Sequence, residues 1–453
     1  MAMGERKKKE RQEDLWIASN AIVQTPGHAF YDRLNQLLGE HGFDRKAEHL
    51  CRRYYKGPKG RPSIAPGVYF RMLLVGYFEG LDSERGIAWR VADSLSLRKF
   101  LGYGLDEVTP DHSTVSRTRR LYALSTHKAI FAWVLRLVSE AGLLGKTVGV
   151  DGTPLEANAA MRSIIRRDTG EGYQEYLKRL AQAAGIEDPT REQLARFDRK
   201  RKKKTSNDDW QHPHDPDARI TKMKDGRTHL AHKVEHAVDL SSGALRALTV
   251  QPGDRGDTTS LFETLSAAET MARRTGAAAI EEVVTDKGYH SDEVLTRLHD
   301  EGVRSYMAEP ERGRRYWRER RAEQAQVYAN RRRIRGKRGR HLHRKRAEHS
   351  ERSNAHMYET GAMRHVYLRG ARNVEKRLLI HGAAYNLGLV LRKCFGLRKP
   401  RSLQGSLSRI SELWFDACVR CGDILRPFHA MLAAKQAIPV MADLLPPMRR
   451  LAR

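Results

Sequence analysis

Two short apolar runs, each ending in an aspartate followed closely by a glycine, restrict the possible folds of this chain more than any other feature. Thr147-Val148-Gly149-Val150-Asp151-Gly152-Thr153 is rich in β-branched residues and stops at a glycine, so it reads as a buried strand carrying Asp151 at the middle or end of a sheet. Glu282-Val283-Val284-Thr285-Asp286-Lys287-Gly288-Tyr289 has the same grammar and carries Asp286, with Gly288 expected to take a positive φ in the turn that follows. Residues 229–239 and 244–250 are strand-like runs joined by Leu240-Ser241-Ser242-Gly243, which predicts a hairpin. Helices are expected at 258–275 and near 291–301, and a strand at 303–307. The order strand, hairpin, helix, strand, helix, strand, helix gives a mixed sheet with helices packed on it, and lets the strands of Asp151 and Asp286 lie side by side.

Residues 30–138 read as helical. Ile130, Val134, Leu135 and Val138 fall on one face at helical spacing. Asp82 or Ser83 can cap a helix carrying Ile87, Val91 and Leu95. Thr109-Pro110-Asp111 supplies a cap, a first-turn proline and an acidic first turn for another. That second helix carries Ser113, Thr114, Ser116, Arg117, Arg119 and Arg120. Hydroxyls and arginines on a short helix suit phosphate and base-edge contacts of the helix-turn-helix kind. A merely solvated basic face is the alternative.

The chain has 453 residues, and its 83 lysines and arginines outnumber 55 acids to leave a formal charge of +28. That excess favours a polyanionic partner, with nucleic acid foremost. No apolar run approaches the roughly 18 residues of a membrane span, and residues 1–10 lack a signal core, so a cytoplasmic protein, nucleoid-associated when on DNA, is expected. Four scattered cysteines do not make a disulfide framework, and Cys418 and Cys421 form a lone C-x-x-C without the second pair a zinc site needs. Residues 162–216, with the block Arg199-Lys200-Arg201-Lys202-Lys203-Lys204, read as an insertion or mobile basic loop. Residues 309–346 are the most basic stretch and interleave Tyr316, Trp317 and Tyr328 with arginines, which suits phosphates and unstacked bases; a solvated, partly disordered segment is the alternative. Residues 373–393 are apolar almost all round and predict a buried helix.

A third acid, Glu351, sits in Glu348-His349-Ser350-Glu351-Arg352-Ser353-Asn354-Ala355-His356, a stretch best read as helix. Three such acids can cage two divalent cations about 3.5–4 Å apart, which activate the attacking oxygen and stabilise the leaving oxygen of a phosphodiester. Magnesium needs only two or three carboxylates besides water and phosphate, so Asp151 would bridge the pair, with Asp286 and Glu351 each completing one ion. Glu348, one turn earlier, offers an alternative carboxylate on the same face. Asp151 alone could equally be a turn acid.

The local words around these acids resemble the DDE transposases of bacterial insertion sequences, in the four-and-five superfamily and its eleven-eighty-two-like group. Asp151-Gly152-Thr153-Pro154-Leu155-Glu156-Ala157-Asn158-Ala159 is similar to the first-aspartate motif, and Val284-Thr285-Asp286-Lys287-Gly288-Tyr289 to the second. Glu351-Arg352-Ser353-Asn354-Ala355-His356-Met357-Tyr358-Glu359-Thr360-Gly361, followed by Leu368-Arg369-Gly370, is similar to the third-acid motif, although the family has an aromatic where Asn354 stands and often a lysine near Tyr358. Pro110-Asp111-His112-Ser113-Thr114-Val115-Ser116-Arg117 resembles the family's amino-terminal domain.

The resemblance implies an α/β fold with an RNase H-like mixed sheet flanked by helices, behind an all-helical, helix-turn-helix-like domain. The corresponding division is a basic flexible N-terminus (1–29), a helical DNA-binding domain (30–142), the catalytic domain (143–400) and a helical tail (401–453). It also implies Mg2+, two ions with Mn2+ as a substitute, and movement of an element bounded by terminal inverted repeats in double-stranded DNA. A homodimer or larger assembly on DNA is expected, because two ends must be cut. Tyr289, Glu156, Asn158, Arg352, His356 and Arg369 are candidates to position DNA or the metal ligands, or else to pack and line helix surfaces. The rival readings are a non-catalytic or domesticated DNA-binding protein derived from a transposase, and a general nuclease of the same fold.

Overall fold

Aromatic and aliphatic side chains at helical spacing bury at least one face of each helix in the region before Asp151. A computed structural model of the chain describes residues 28–55, 63–201, 205–223, 225–311, 313, 315–397 and 400. The expected N-terminus up to residue 27, Lys202 to Lys204, the Cys418/Cys421 pair and the tail 401–453 lie outside the described residues. Helices α1 (Ala29–Glu40), α2 (Phe43–Cys51), α3 (Pro66–Glu79), α4 (Glu84–Asp93), α5 (Leu95–Leu101), α6 (His112–Leu121) and α7 (Leu124–Glu140) come first. Helix α3 begins with Pro66 in its first turn and ends on left-handed Gly80, the two signals that start and stop a helix cleanly. Ser83 caps α4 by accepting the Gly86 N–H (3.2 Å), and the helix expected to reach Leu95 breaks at Ser94, which caps α5 instead. Asp111 itself caps α6, accepting the Thr114 N–H at 2.7 Å; that bond holds its carboxyl at about 2.

The remainder runs β1 (Thr147–Glu156), β2 (Ile165–Arg166), α8 (Tyr173–Ala183), α9 (Arg191–Lys200), β3 (Trp210–Gln211), β4 (Arg219–Lys222), β5 (Thr228–Asp239), β6 (Leu245–Pro252), α10 (Asp257–Thr275), β7 (Glu282–Thr285), α11 (Asp292–Asp300), β8 (Arg304–Met307), α12 (Arg321–Arg335), α13 (Lys337–Asn354) and α14 (Ala371–Phe395). A π-helical turn, Ala355–Thr360, continues α13. Strand β1 is central. It pairs antiparallel with β5 on one side and parallel with β7 on the other, and β8 continues the sheet in parallel beyond β7. The far side of β5 pairs antiparallel with β4 and then with β6, through the expected hairpin at left-handed Gly243. Thus the mixed sheet expected from the sequence is present, behind a mostly helical N-terminal region.

Two buried asparagines close the outer strands. Asn386 of α14 accepts the Leu245 N–H and donates to the Leu245 carbonyl (2.9 and 2.8 Å), while Asn330 of α12 does the same for Met307 of β8 (3.0 and 2.9 Å). Each amide satisfies both backbone groups of one residue on an outer strand, as a neighbouring strand would at that position. Helix α14, buried nearly all round as its composition predicts, packs on α3, α7 and β6, so the helical region and the sheet share one spine. Among the described residues no helix is long and apolar enough to cross a membrane.

Residues 162–216, expected as an irregular insertion, instead contain α8 and α9. Trp210 packs with Ile164, Ala157, Ala218 and Leu230, and Leu177, Ala181 and Leu194 form a second small cluster. Arg166 and Arg201 lie over the Tyr176 ring, which absorbs part of the expected free positive charge into the packing.

Fully buried His127 gives the helical region an acid-sensitive point. Its Nδ1–H donates to the Ala123 carbonyl, and in the neutral ring its Nε2 accepts from Tyr69 Oη, both at 3.0 Å. Burial pushes its pKa down to about 3. The unfolded chain therefore takes up a proton that the folded one refuses. The contribution is intact above about pH 6.5 and declines as the pH falls toward 3. Urea unfolding is expected to show a loss of about 2 kcal/mol from this group between pH 7 and 5, which His127→Gln should remove; an identical pH profile in the variant would contradict the account.

Candidate active site

Strand register brings the two aspartates together. The last paired step between β1 and β7 is Gly149 with Val284, and two residues further on stand Asp151, still within β1, and Asp286, the extended residue just past the end of β7. Alternation places both on the face of Gly149 and Val284. Val284 is buried against Leu342 of α13, so this is the face that α13 covers. Gly149 lets the helix come close: a Cβ there would stand 2.8 Å from Leu240 Cδ2 and 3.1 Å from Arg346 Cγ.

Helix α13 then presents Glu351, exposed, beside Asp151. The two line a cleft of about 610 Å3 together with Thr153, Glu156, His229, Arg346, Asn354 and Tyr358. Asp286 is half-buried, accepts the Gly288 N–H at 3.1 Å and does not line the cleft itself; strand pairing alone sets it level with Asp151. Among the described residues no three His, Cys, Asp or Glu side chains stand close enough to hold a metal ion as they are placed. Asp151 faces cations and donors from α13: Arg346 Nη1 stands 3.5 Å from Oδ1, and Asn354 Nδ2 donates to Oδ2 at 3.2 Å. Arg346 Nε is buried without a hydrogen-bond partner among the described residues.

Two family models match the chain. One, described as Transposase domain (DUF772), covers residues 19–121, and the other, Transposase DDE domain, covers residues 207–387. The chain belongs to the insertion-sequence DDE transposases. The protein is therefore a transposase with DNA as its substrate, of a class of enzymes that cut and join DNA strands and use divalent metal ions. No curated protein matches the chain. The second match includes Asp286 and Glu351, whereas Asp151 falls between the two matched segments.

The other residues that the sequence singled out in this transposase divide by position. Glu156, the last residue of β1, lines the cleft and meets His229 Nδ1 at 3.2 Å. Tyr289 lies on the opposite face, buried, and donates from its hydroxyl to Glu235 Oε1 (3.0 Å), so it anchors the turn after Asp286 and does not reach the cleft. Gly288 has no positive φ. Its smallness matters instead, since a Cβ there would collide with Asp257 Oδ2. Asn158 donates to the Tyr367 carbonyl (3.1 Å) and ties down the loop before α14, and exposed Arg369 lies at the end of that loop. His356 packs its ring near Tyr385, Arg352 pairs with Glu348 at 2.7 Å, and Glu348 is not among the cleft residues.

On α6, Arg117 donates to Ser113 (3.1 Å) and Thr114 (3.3 Å), and Arg120 is exposed. Arg119 differs from the expectation. It is turned into the protein, ion-paired to Glu84 with both side chains mostly buried, because Val115, Thr118 and Arg119 form the inward stripe of the helix. Removing one partner of a buried pair costs about 3 kcal/mol or more. Arg119→Ala is therefore expected to lower stability by that order. Arg117→Ala and Arg120→Ala should leave stability unchanged and each reduce the salt slope of DNA binding by about 0.9. Fluorescence anisotropy across a salt series, with urea unfolding alongside, separates the two; equal slopes in all variants would exclude α6 from the DNA interface.

Sequence reading missed Arg346, His236 and the Asn354 contact with Asp151. Arg346 lay unmarked in an arginine-rich run, and only the crossing of α13 over Gly149 distinguishes it.

Proposed function

We propose that this transposase holds two divalent cations, Mg2+ or Mn2+ in its place, on Asp151, Asp286 and Glu351, and uses them to cut DNA at the terminal inverted repeats of an insertion sequence and transfer the freed ends. The supporting observation is the convergence of β1, β7 and α13, with one acid on β1, the second just past the end of its parallel neighbour β7, and the third on the helix that covers them. The donors are carboxylate oxygens, hard ligands of the kind Mg2+ prefers. Such a pair of ions, when bound, supplies positive charge to the attacking and leaving oxygens of an in-line displacement.

The chain's own residues do the rest. Arg346 places a guanidinium beside Asp151 at the cleft wall, where phosphate oxygens of the scissile strand would approach. Exposed Lys337, Arg340 and Arg344 recur at helical spacing along α13 toward Glu351 and form a rail for the DNA backbone. Asn354 and Arg346 hold the Asp151 carboxylate by both oxygens. The order β6–β5–β1–β7–β8, antiparallel as far as β1 and parallel beyond it, supports an RNase H-like fold, and the three acid motifs support the eleven-eighty-two-like group. Cutting two ends in concert calls for a homodimer or a larger assembly on DNA.

The test is incubation with Mg2+ and duplexes carrying either the inverted repeats that flank the coding region or scrambled sequence. Cleavage confined to the repeat ends supports the proposal. Equal cleavage of both duplexes would mark a general nuclease, and binding without cleavage a DNA-binding derivative.

A further inference from the structure

We propose that His236 is a positioning residue of the cleavage centre, a neutral imidazole that ties the central sheet to the segment bearing Glu351 and so sets the spacing of Glu351 and Asp151. The inference rests on the roles proposed above for those two acids. In the β1–β5 register His236 stands directly opposite Asp151, so both side chains rise from the same face of the sheet. His236 is buried there and reaches α13 and the π turn at once. Its Nδ1 lies 3.2 Å from Ser353 Oγ, and its Nε2 lies 3.1 Å from Tyr358 Oη. The Ser353 hydroxyl donates to the Ser350 carbonyl (3.0 Å). Its remaining capacity is as an acceptor, so the hydrogen belongs on His236 Nδ1 and Nε2 accepts from Tyr358. The imidazole also stacks on the Tyr358 ring, with centroids 5.7 Å apart and planes 20° apart.

Together with the Asn354 bond to Asp151, these contacts fasten positions 353, 354 and 358 to β1 and β5, immediately after Glu351. They are needed there for a physical reason. The helix widens into a π turn at Ala355–Thr360, a conformation with little intrinsic stability that persists where tertiary contacts hold it. Glu351 is exposed on the last turns before this widening, so its carboxylate goes where the helix end goes. His236 therefore acts at one remove, through Ser353 and Tyr358, on the segment that follows Glu351; loss of a support bonded directly to a metal ligand typically weakens affinity about 10- to 100-fold, and the lower end of that range is expected here.

The test compares His236→Phe, which keeps a flat ring without either hydrogen bond, His236→Gln, which restores a donor and an acceptor, and Tyr358→Phe, which removes one hydroxyl. Mn2+ affinity of the full-length protein on repeat DNA is measured by calorimetry, and amide exchange across 350–360 by mass spectrometry. His236→Phe is expected to weaken Mn2+ binding at least tenfold and to speed exchange in 353–360, with DNA affinity within twofold of the parent. Tyr358→Phe should fall between, and His236→Gln should recover part of the loss. If His236→Phe does not fold, Tyr358→Phe decides. Unchanged Mn2+ affinity and exchange, or a fall in melting temperature alone, would overturn the inference. Asp151→Asn, run in parallel, keeps the two claims apart: Mn2+ binding and cleavage unaffected by that change would refute the acid assignment itself, whatever the His236 variants do.

Discussion

Asp151→Asn is expected to abolish Mg2+-dependent cleavage of repeat-end DNA, by a factor on the order of 10^3 or more, equivalent to about 4 kcal/mol on the barrier. The change is isosteric; it removes the charge and turns one of the two acceptor oxygens, which face Asn354 and Arg346, into an amide NH2. Asn can still accept from Asn354 and pack beneath α13, so the fold and the cleft walls are kept. What is lost is the anionic oxygen pair midway along β1, on the cleft that Glu351 also lines. Because Asp151 lies between the two segments that match transposase models, this variant tests the geometric assignment independently of the family match. Gel analysis of labelled duplex cleavage, with binding followed by anisotropy, gives the two readouts needed. Binding should stay within a few-fold of the parent, since the arginines and lysines of α6 and α13 are untouched. Parental cleavage in Asp151→Asn would end the proposal.

Gly339→Ala should cost about 3 kcal/mol of stability and depress cleavage with it. Gly339 lies at the corner where α12 turns into α13, and a Cβ there would collide with the Arg333 carbonyl oxygen and stand 2.7 Å from Ile334 Cα. Both neighbours are backbone, so no side-chain rotation relieves the clash and the helices must separate. The start of α13 would move, and with it the path that carries Arg346 and Glu351 over the sheet. Gly336 is the control, because a Cβ there meets the Arg333 carbonyl at an ordinary 3.4 Å and its φ of −70° suits any residue. Urea unfolding should show Gly336→Ala within about 1 kcal/mol of the parent. Similar stability for the two variants would mean that the corner is looser than its packing indicates.

Much of the fold is local in origin and was legible for that reason. Alternation and β-branching placed the strands of Asp151 and Asp286, the turn at Gly243 joined β5 to β6, and an apolar surface all round predicted α14. Each signal resides within a few residues of the structure it specifies. Helix caps were legible to within a residue or two, as the shift from Thr109 to Asp111 shows. The acid motifs were legible as words, and the register of β1 with β7 agrees with the expectation that their strands lie side by side.

What the sequence by itself determined is therefore the kind of each element and the chemistry available at its ends. Tertiary structure decided which groups meet. Arg117, Arg119 and Arg120 are chemically equivalent in the sequence, yet the helix period turns Arg119 onto Glu84 and leaves its neighbours outside. His236 is one histidine among many until antiparallel register sets it opposite Asp151, and Arg346 one arginine in a run until α13 crosses Gly149. The residues at 162–216 look too polar to fold, but Trp210 and a few aliphatic residues find cores that no local pattern announces. Pairing across a hundred or more residues depends on register and packing geometry, which a single chain's order of residues does not display.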